Sequence, residues 1–130
     1  MNKSKEYYMQ NPSAICKDIE FLSRPMRACL SELGKLFGFV VVETWRHSQR
    51  QLMLVKTGKS WTMNSNHLTG DASDLMPIGG YDKPCDWVAM HDAWDKIVMK
   101  HHDPEWVVTP EKRIGKDMGH FGMDRKPRNK

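Results

Sequence analysis

The sequence predicts an α+β fold, a small and mostly antiparallel sheet packed with helices. Apolar residues recur at helical spacing in two stretches: Met26, Leu30, Leu33 and Phe37 in one, and Trp87, Met90, His91, Trp94 and Val98 in the other. The run FVVVET (residues 39–44) is β-branched and reads as a strand. Helices lead the chain, and short strands are mixed in later.

Taken in order, residues 12–23 hold Ile15, Ile19 and Leu22 at helical spacing and predict a short amphipathic helix. Pro25, a favoured first-turn residue, opens a second helix that Gly38 ends. After the FVVVET strand, Ser48 and Gln51 match a capping box and predict a helix from Ser48 to Gly58. Residues 59–70 are polar and turn-rich, hence a loop. A short strand over 72–75 leads into the Pro/Gly-rich MPIGGYDKP. Asp86 caps a third substantial helix, and residues 106–109 and 120–123 are further strands.

A chain of 130 residues fits a single domain spanning 1–130. Residues 1–10 and 124–130 are expected to fray, the basic Arg125, Lys126, Arg128 and Lys130 being solvated. No apolar run approaches the roughly 18 residues a membrane helix needs, so no membrane insertion is expected. The N-terminus lacks a continuous apolar segment after its basic residues, which argues against a secretory signal. A substrate outside the cytoplasm would therefore need another route. Cys16, Cys29 and Cys85 form no CxxC pair, which argues against a disulfide framework or a cysteine zinc site; Cys16 and Cys29 read as buried thiols. The net charge of +4 suits nucleic acid or an anionic envelope polymer. Without a helix of clustered Arg/Lys or an aromatic stacking platform, nucleic acid is excluded.

The chemistry concentrates in two places. SNHLTGDASD (residues 65–74) sets His67 and Asp74 seven residues apart, with a turn at Gly70 that could fold both onto one metal. Histidine and carboxylate suit Zn²⁺, and a catalytic zinc keeps three protein ligands and an open position. A His and an Asp at that distance also occur by chance in many proteins. Near the C-terminus, His120 could supply the third ligand if it opens a strand beside Asp74. Asp117, three residues earlier, could take the proton of a water acidified by the metal. Arg46, at the end of the FVVVET strand, is the best-placed cation for a developing oxyanion.

These residues carry a resemblance. Ser65-x-His67-x-x-Gly70-x-Ala72-x-Asp74 reproduces the SxHxxGxAxD motif of the D-alanyl-D-alanine carboxypeptidase and L-alanyl-D-glutamate endopeptidase family, whose fold is shared with the vancomycin-resistance D,D-dipeptidases and the hedgehog signalling domain. Asp117-x-x-His120 resembles the family's catalytic acid and third zinc ligand. Trp45-Arg46-x-Ser48-x-x-Gln51, with Leu54 and Gly58, looks like a further family stretch whose arginine is the proposed transition-state stabiliser. The resemblance implies a hedgehog/D,D-peptidase-like fold and a zinc cofactor on His67, Asp74 and His120. It implies catalytic roles for Asp117 and Arg46, and a bacterial peptidoglycan stem peptide as substrate. Ser65, Gln51 and Gly70 would shape the loop or bind substrate. The short chain looks most like the bacteriophage L-alanyl-D-glutamate endolysins, which are made in the host cytoplasm and reach the wall after a holin opens the inner membrane. A monomer is expected. A D,D-carboxypeptidase and a non-enzymatic module with structural zinc are the alternatives. The sequence departs from many relatives at Gly119 and Gly122, which flank His120-Phe121.

Other polar residues have plainer readings. His47 reads as a loop histidine, His91 as a core histidine, Asp71 as a solvated turn residue, and Glu111 as a rival to Asp117 for the general base, while the plain alternative for Arg46 is a strand-end residue paired with a surface carboxylate such as Glu43.

Overall fold

The computed structural model describes residues 3–112 and 117–128. Four strands, β1 (Val40–Glu43), β2 (Ala72–Met76), β3 (Trp106–Pro110) and β4 (His120–Pro127), form one sheet in the order β1-β2-β4-β3, every neighbouring pair antiparallel. Around it lie α1 (Lys5–Gln10), α2 (Arg24–Gly34), α3 (Ser48–Lys56) and α4 (Trp87–Lys100), with short 3-10 turns at Ile19–Phe21 and Asn66–Thr69. The α+β class read from the sequence is the one observed.

The apolar stripes of α2 and α4 make the core. Met26, Cys29, Leu30 and Leu33 meet Met90, Trp94 and Val98, and both sets pack on Leu75, Val108, Phe121 and Met123 of the strands. The Trp94 indole N–H donates to the Gly122 carbonyl at 2.8 Å, so the largest core side chain buries no unpaired donor. Asp86 caps α4 by accepting from the Ala89 N–H.

Several local expectations are corrected. Residues 12–23 form no amphipathic helix; Ile15 and Ile19 are exposed, and only a single 3-10 turn forms. This segment gives its backbone to tertiary partners instead, with the Cys16 carbonyl accepting from Thr44 N–H at 2.7 Å and the Asp18 carbonyl from the Thr44 hydroxyl at 2.8 Å. Helix α2 ends at Gly34 rather than Gly38. The cap of α3 is His47, not Ser48: its Nδ1 accepts from the Gln49 N–H at 3.0 Å. Gln51 is thereby turned inward and fully buried. At the two ends, Tyr8 of α1 is buried against Phe21 and Trp45. Strand β4 continues through Pro127, and Arg128 donates to the carbonyls of Asp103 and Trp106 at 3.0 Å each. Met1, Asn2, Asn129 and Lys130 lie outside the described residues.

Candidate metal centre

Each position of the 65–74 motif has a local task. The Ser65 hydroxyl accepts from the His67 N–H at 3.2 Å and opens the 3-10 turn that carries His67. Gly70 closes that turn at φ +75°, where a Cβ would come within 2.5 Å of the Phe21 carbonyl oxygen. Only glycine meets both demands. The chain then enters β2, with Ala72 fully buried.

Strand register supplies the rest. Asp74 of β2 lies opposite His120 of β4 on one side and Glu43 of β1 on the other. Residues directly opposite in antiparallel strands share a face. An irregularity between Val41 and Glu43 shifts the register by one residue and brings Glu43 into this row.

His67 Nε2 lies 3.1 Å from Asp74 Oδ1, and His120 Nδ1 lies 3.3 Å from the same oxygen. The three donors fall within 4.8 Å of one another. Their outer contacts fix the proton positions. His67 Nδ1 is 2.6 Å from the Thr44 carbonyl, which can only accept, so that nitrogen bears the hydrogen and Nε2 faces Asp74 bare. His120 Nε2 is 3.0 Å from both oxygens of Glu111, which leaves Nδ1 for Asp74. Two imidazole lone pairs and a carboxylate oxygen so arranged repel one another unless a cation or a proton lies among them. Burial pushes the His120 imidazole down, but hydrogen bonds and charge from Asp74 and Glu111 outweigh it and raise its pKa to about 10. Burial raises the Asp74 carboxyl, yet the two histidines hold it well below the usual carboxylate range. This donor set fits a zinc ion.

Around these residues opens a cleft of about 720 Å³ whose lining includes Glu43, Arg46, His67, Asp74, Asp117 and His120. Asp117 is exposed, and its carbonyl accepts from the His120 N–H at 3.3 Å in the turn that leads into β4. Partial desolvation of its carboxyl by the walls of the cleft and the nearby Asp74 charge raise its pKa above the ordinary 3.8, making it a better proton acceptor. Arg46 is buried. Its guanidinium donates to Glu43 at 2.8 Å, Gln51 at 2.8 Å and Asp74 Oδ2 at 3.4 Å. Gln51 in turn donates to the Ser60 hydroxyl and the Thr62 carbonyl.

The structure thus brings His67, Asp74, His120, Asp117 and Arg46 to one cleft, with Ser65, Gly70 and Gln51 shaping it. It revises two plainer readings. Asp71 is a buried acceptor for Ser23, Thr69 and Arg125 at 2.6, 2.7 and 2.6 Å, not a solvated turn residue. Glu43 is buried between Arg46 and Arg50, not at the surface. His91 is a core histidine as read, stacked on Phe121 with ring centroids 4.0 Å apart. Sequence reasoning missed Tyr81, which lines a smaller pocket sharing Asp74 and Asp117 with the main cleft. Its only signal was a Pro/Gly-rich loop.

Fold and site together define an α+β protein whose central strands carry a His-Asp-His cluster beside a carboxylate and an arginine. No protein-family model and no curated protein matches the chain. Among solved structures, it is similar to the L-Ala D-Glu endopeptidase ChiX of Serratia marcescens, with 28% identity over 82% of this chain and 83% of that one, and a TM-score of 0.57. The fold anticipated from the motifs is the one shared with that endopeptidase.

Proposed function

We propose that the chain is a zinc metallopeptidase that cleaves the L-Ala–D-Glu bond of peptidoglycan stem peptides. The observation that carries this reading is the convergence of His67 Nε2, Asp74 Oδ1 and His120 Nδ1 within 4.8 Å, in a cleft that Asp117 and Arg46 also line. The likeness to ChiX supports the bond and the substrate class. His67, Asp74 and His120 would hold the zinc, which when bound supplies a Lewis acid that activates water and polarises a carbonyl.

The chain's own residues do the remaining work. Asp117 accepts a proton from the attacking water and returns it to the departing amine, a task suited to a carboxyl of raised pKa. Arg46, immobilised by Glu43 and Gln51, presents fixed positive charge to the oxyanion. On this reading the protein is a bacteriophage endolysin, made in the host cytoplasm and reaching the wall after holin-type release. It acts there as a monomer.

Digestion of purified peptidoglycan followed by mass spectrometry tests the proposal. New D-Glu amino termini are expected. Release of terminal D-Ala instead would make it a D,D-carboxypeptidase, and intact muropeptides with zinc bound would make it a binding module.

A further inference from the structure

We propose that Glu111 is a positioning residue, which locks His120 in the orientation that presents Nδ1 to the metal, and that Gly122 provides the room for it. The inference rests on the metal-centre reading and extends it beyond the three ligands.

Glu111 follows directly on β3, and its backbone N–H donates to the Gly122 carbonyl at 3.0 Å. Its carboxylate straddles His120 Nε2, with each oxygen 3.0 Å away. The Asn66 side-chain amide donates to Oε1 at 2.9 Å and to the Met123 carbonyl at 2.8 Å. Asn66 immediately precedes His67, so this one carboxylate ties the turn bearing the first ligand to the strand bearing the third.

Gly122 makes the arrangement possible. A Cβ at that position would collide with Glu111 Oε1 and come within 3.1 Å of the Asp71 carbonyl oxygen. The absence of a side chain at this glycine thus leaves the space that the Glu111 carboxylate occupies.

The two nitrogens of His120 open from different edges of the ring, Nδ1 toward Asp74 and Nε2 toward Glu111. Glu111 therefore lies across the imidazole from Asp74 and outside the three-donor set, while lining the same cleft. A carboxylate on the far nitrogen of a ligating imidazole fixes its tautomer and raises its basicity, and losing one costs about 10–100-fold in metal affinity.

Zinc titration of the metal-free protein against a chromophoric chelator, with ¹⁵N NMR of the zinc-loaded protein, tests the assignment without substrate. Glu111→Ala should weaken zinc about 10–100-fold. Glu111→Gln should recover most of that loss, because its amide oxygen still accepts from Nε2–H. Gly122→Ala should reproduce the weakening with Glu111 intact. The NMR spectrum of the unmutated protein should show His120 protonated at Nε2 and bound through Nδ1, a result independent of whether any variant folds. Binding through Nε2, or unchanged zinc affinity in Glu111→Ala, overturns the proposal. A parent protein that binds no zinc fails earlier, at the metal reading, and takes this assignment with it.

Discussion

Arg46 carries a permanent charge into a place where Glu43, Gln51 and Asp74 all accept from it, at 2.8, 2.8 and 3.4 Å. Its Nε–H is buried without a hydrogen-bond partner among the described residues, a cost of about 1–3 kcal/mol for an unpaired donor. Read from sequence, a pair with Glu43 would lie at the surface and contribute roughly 0–1 kcal/mol. The pair exists, but Glu43 is buried, so cutting Arg46 away costs stability as well as chemistry. Arg46→Ala should lower kcat about 10²–10³-fold and lower the Tm, while Arg46→Lys, which lacks the planar fork, should regain stability more than rate. Kinetics and thermal unfolding measured on the same variants check this; a normal kcat with a lowered Tm would leave Arg46 purely structural. Asp117→Asn should keep zinc and lose about 10²–10⁴-fold in kcat. If metal analysis finds that variant zinc-free, Asp117 belongs among the ligands. His67 and Asp74 were legible as metal-ligand candidates because their spacing is a local property of the chain, whereas His120, 46 residues beyond Asp74, joined them through the motif resemblance. Glu43 and Glu111 were not legible, because the role of Glu43 depends on a strand irregularity, and that of Glu111 on a glycine eleven residues away.

Between α4 and β3, the Asp103 carboxylate is almost fully buried and collects four hydrogen bonds. Arg24 of α2 donates two at 2.9 Å, and the N–H groups of Glu105 and Trp106 donate at 2.8 and 3.1 Å. Those bonds, Arg24 first, outweigh burial and hold its pKa well below the ordinary 3.8. A depressed carboxyl contributes stability that is present above its unfolded value and is lost as the pH falls through the folded one. Asp103→Asn should therefore be destabilised most at neutral pH and should converge on the parent as the pH drops below 3.8. Urea unfolding across that range checks it, and a gap that widens in acid would contradict it. Gly70→Ala is the matching backbone test: with φ at +75° and the Phe21 carbonyl in the way, it should unfold earlier and bind zinc more weakly. Strongly periodic elements such as α4 were readable from their apolar stripes and caps. The segment 12–23 misled because Ile15 and Ile19 mimic a helical stripe while its carbonyls serve Thr44, a partner far along the chain. The cap of α3 misled because an imidazole took the place expected of a hydroxyl.

Across the whole molecule, the centre is assembled from parts that only the folded sheet brings together. His67 stands on a turn before β2, Asp74 within β2, and His120 at the start of β4, with Thr44 and Glu111 holding the outer nitrogens from either side. An unfolded chain offers no such site, so the free energy of the proposed zinc binding would add to that of folding. At free zinc about 1,000 times the dissociation constant this amounts to about 4 kcal/mol, or a Tm shift of about 10–20 °C for a chain of this length. Treatment with a chelator should reverse the shift, and adding zinc back should restore it. His67→Ala and His120→Ala should unfold at a temperature insensitive to zinc, whereas Asp117→Asn should keep the full response, because its carboxylate is assigned to the proton and not to the metal. Scanning calorimetry of these proteins, with and without chelator, separates the two roles in one experiment. A parent whose Tm ignores the chelator would remove zinc from the site. A response that survives in both histidine variants would move the metal elsewhere in the molecule.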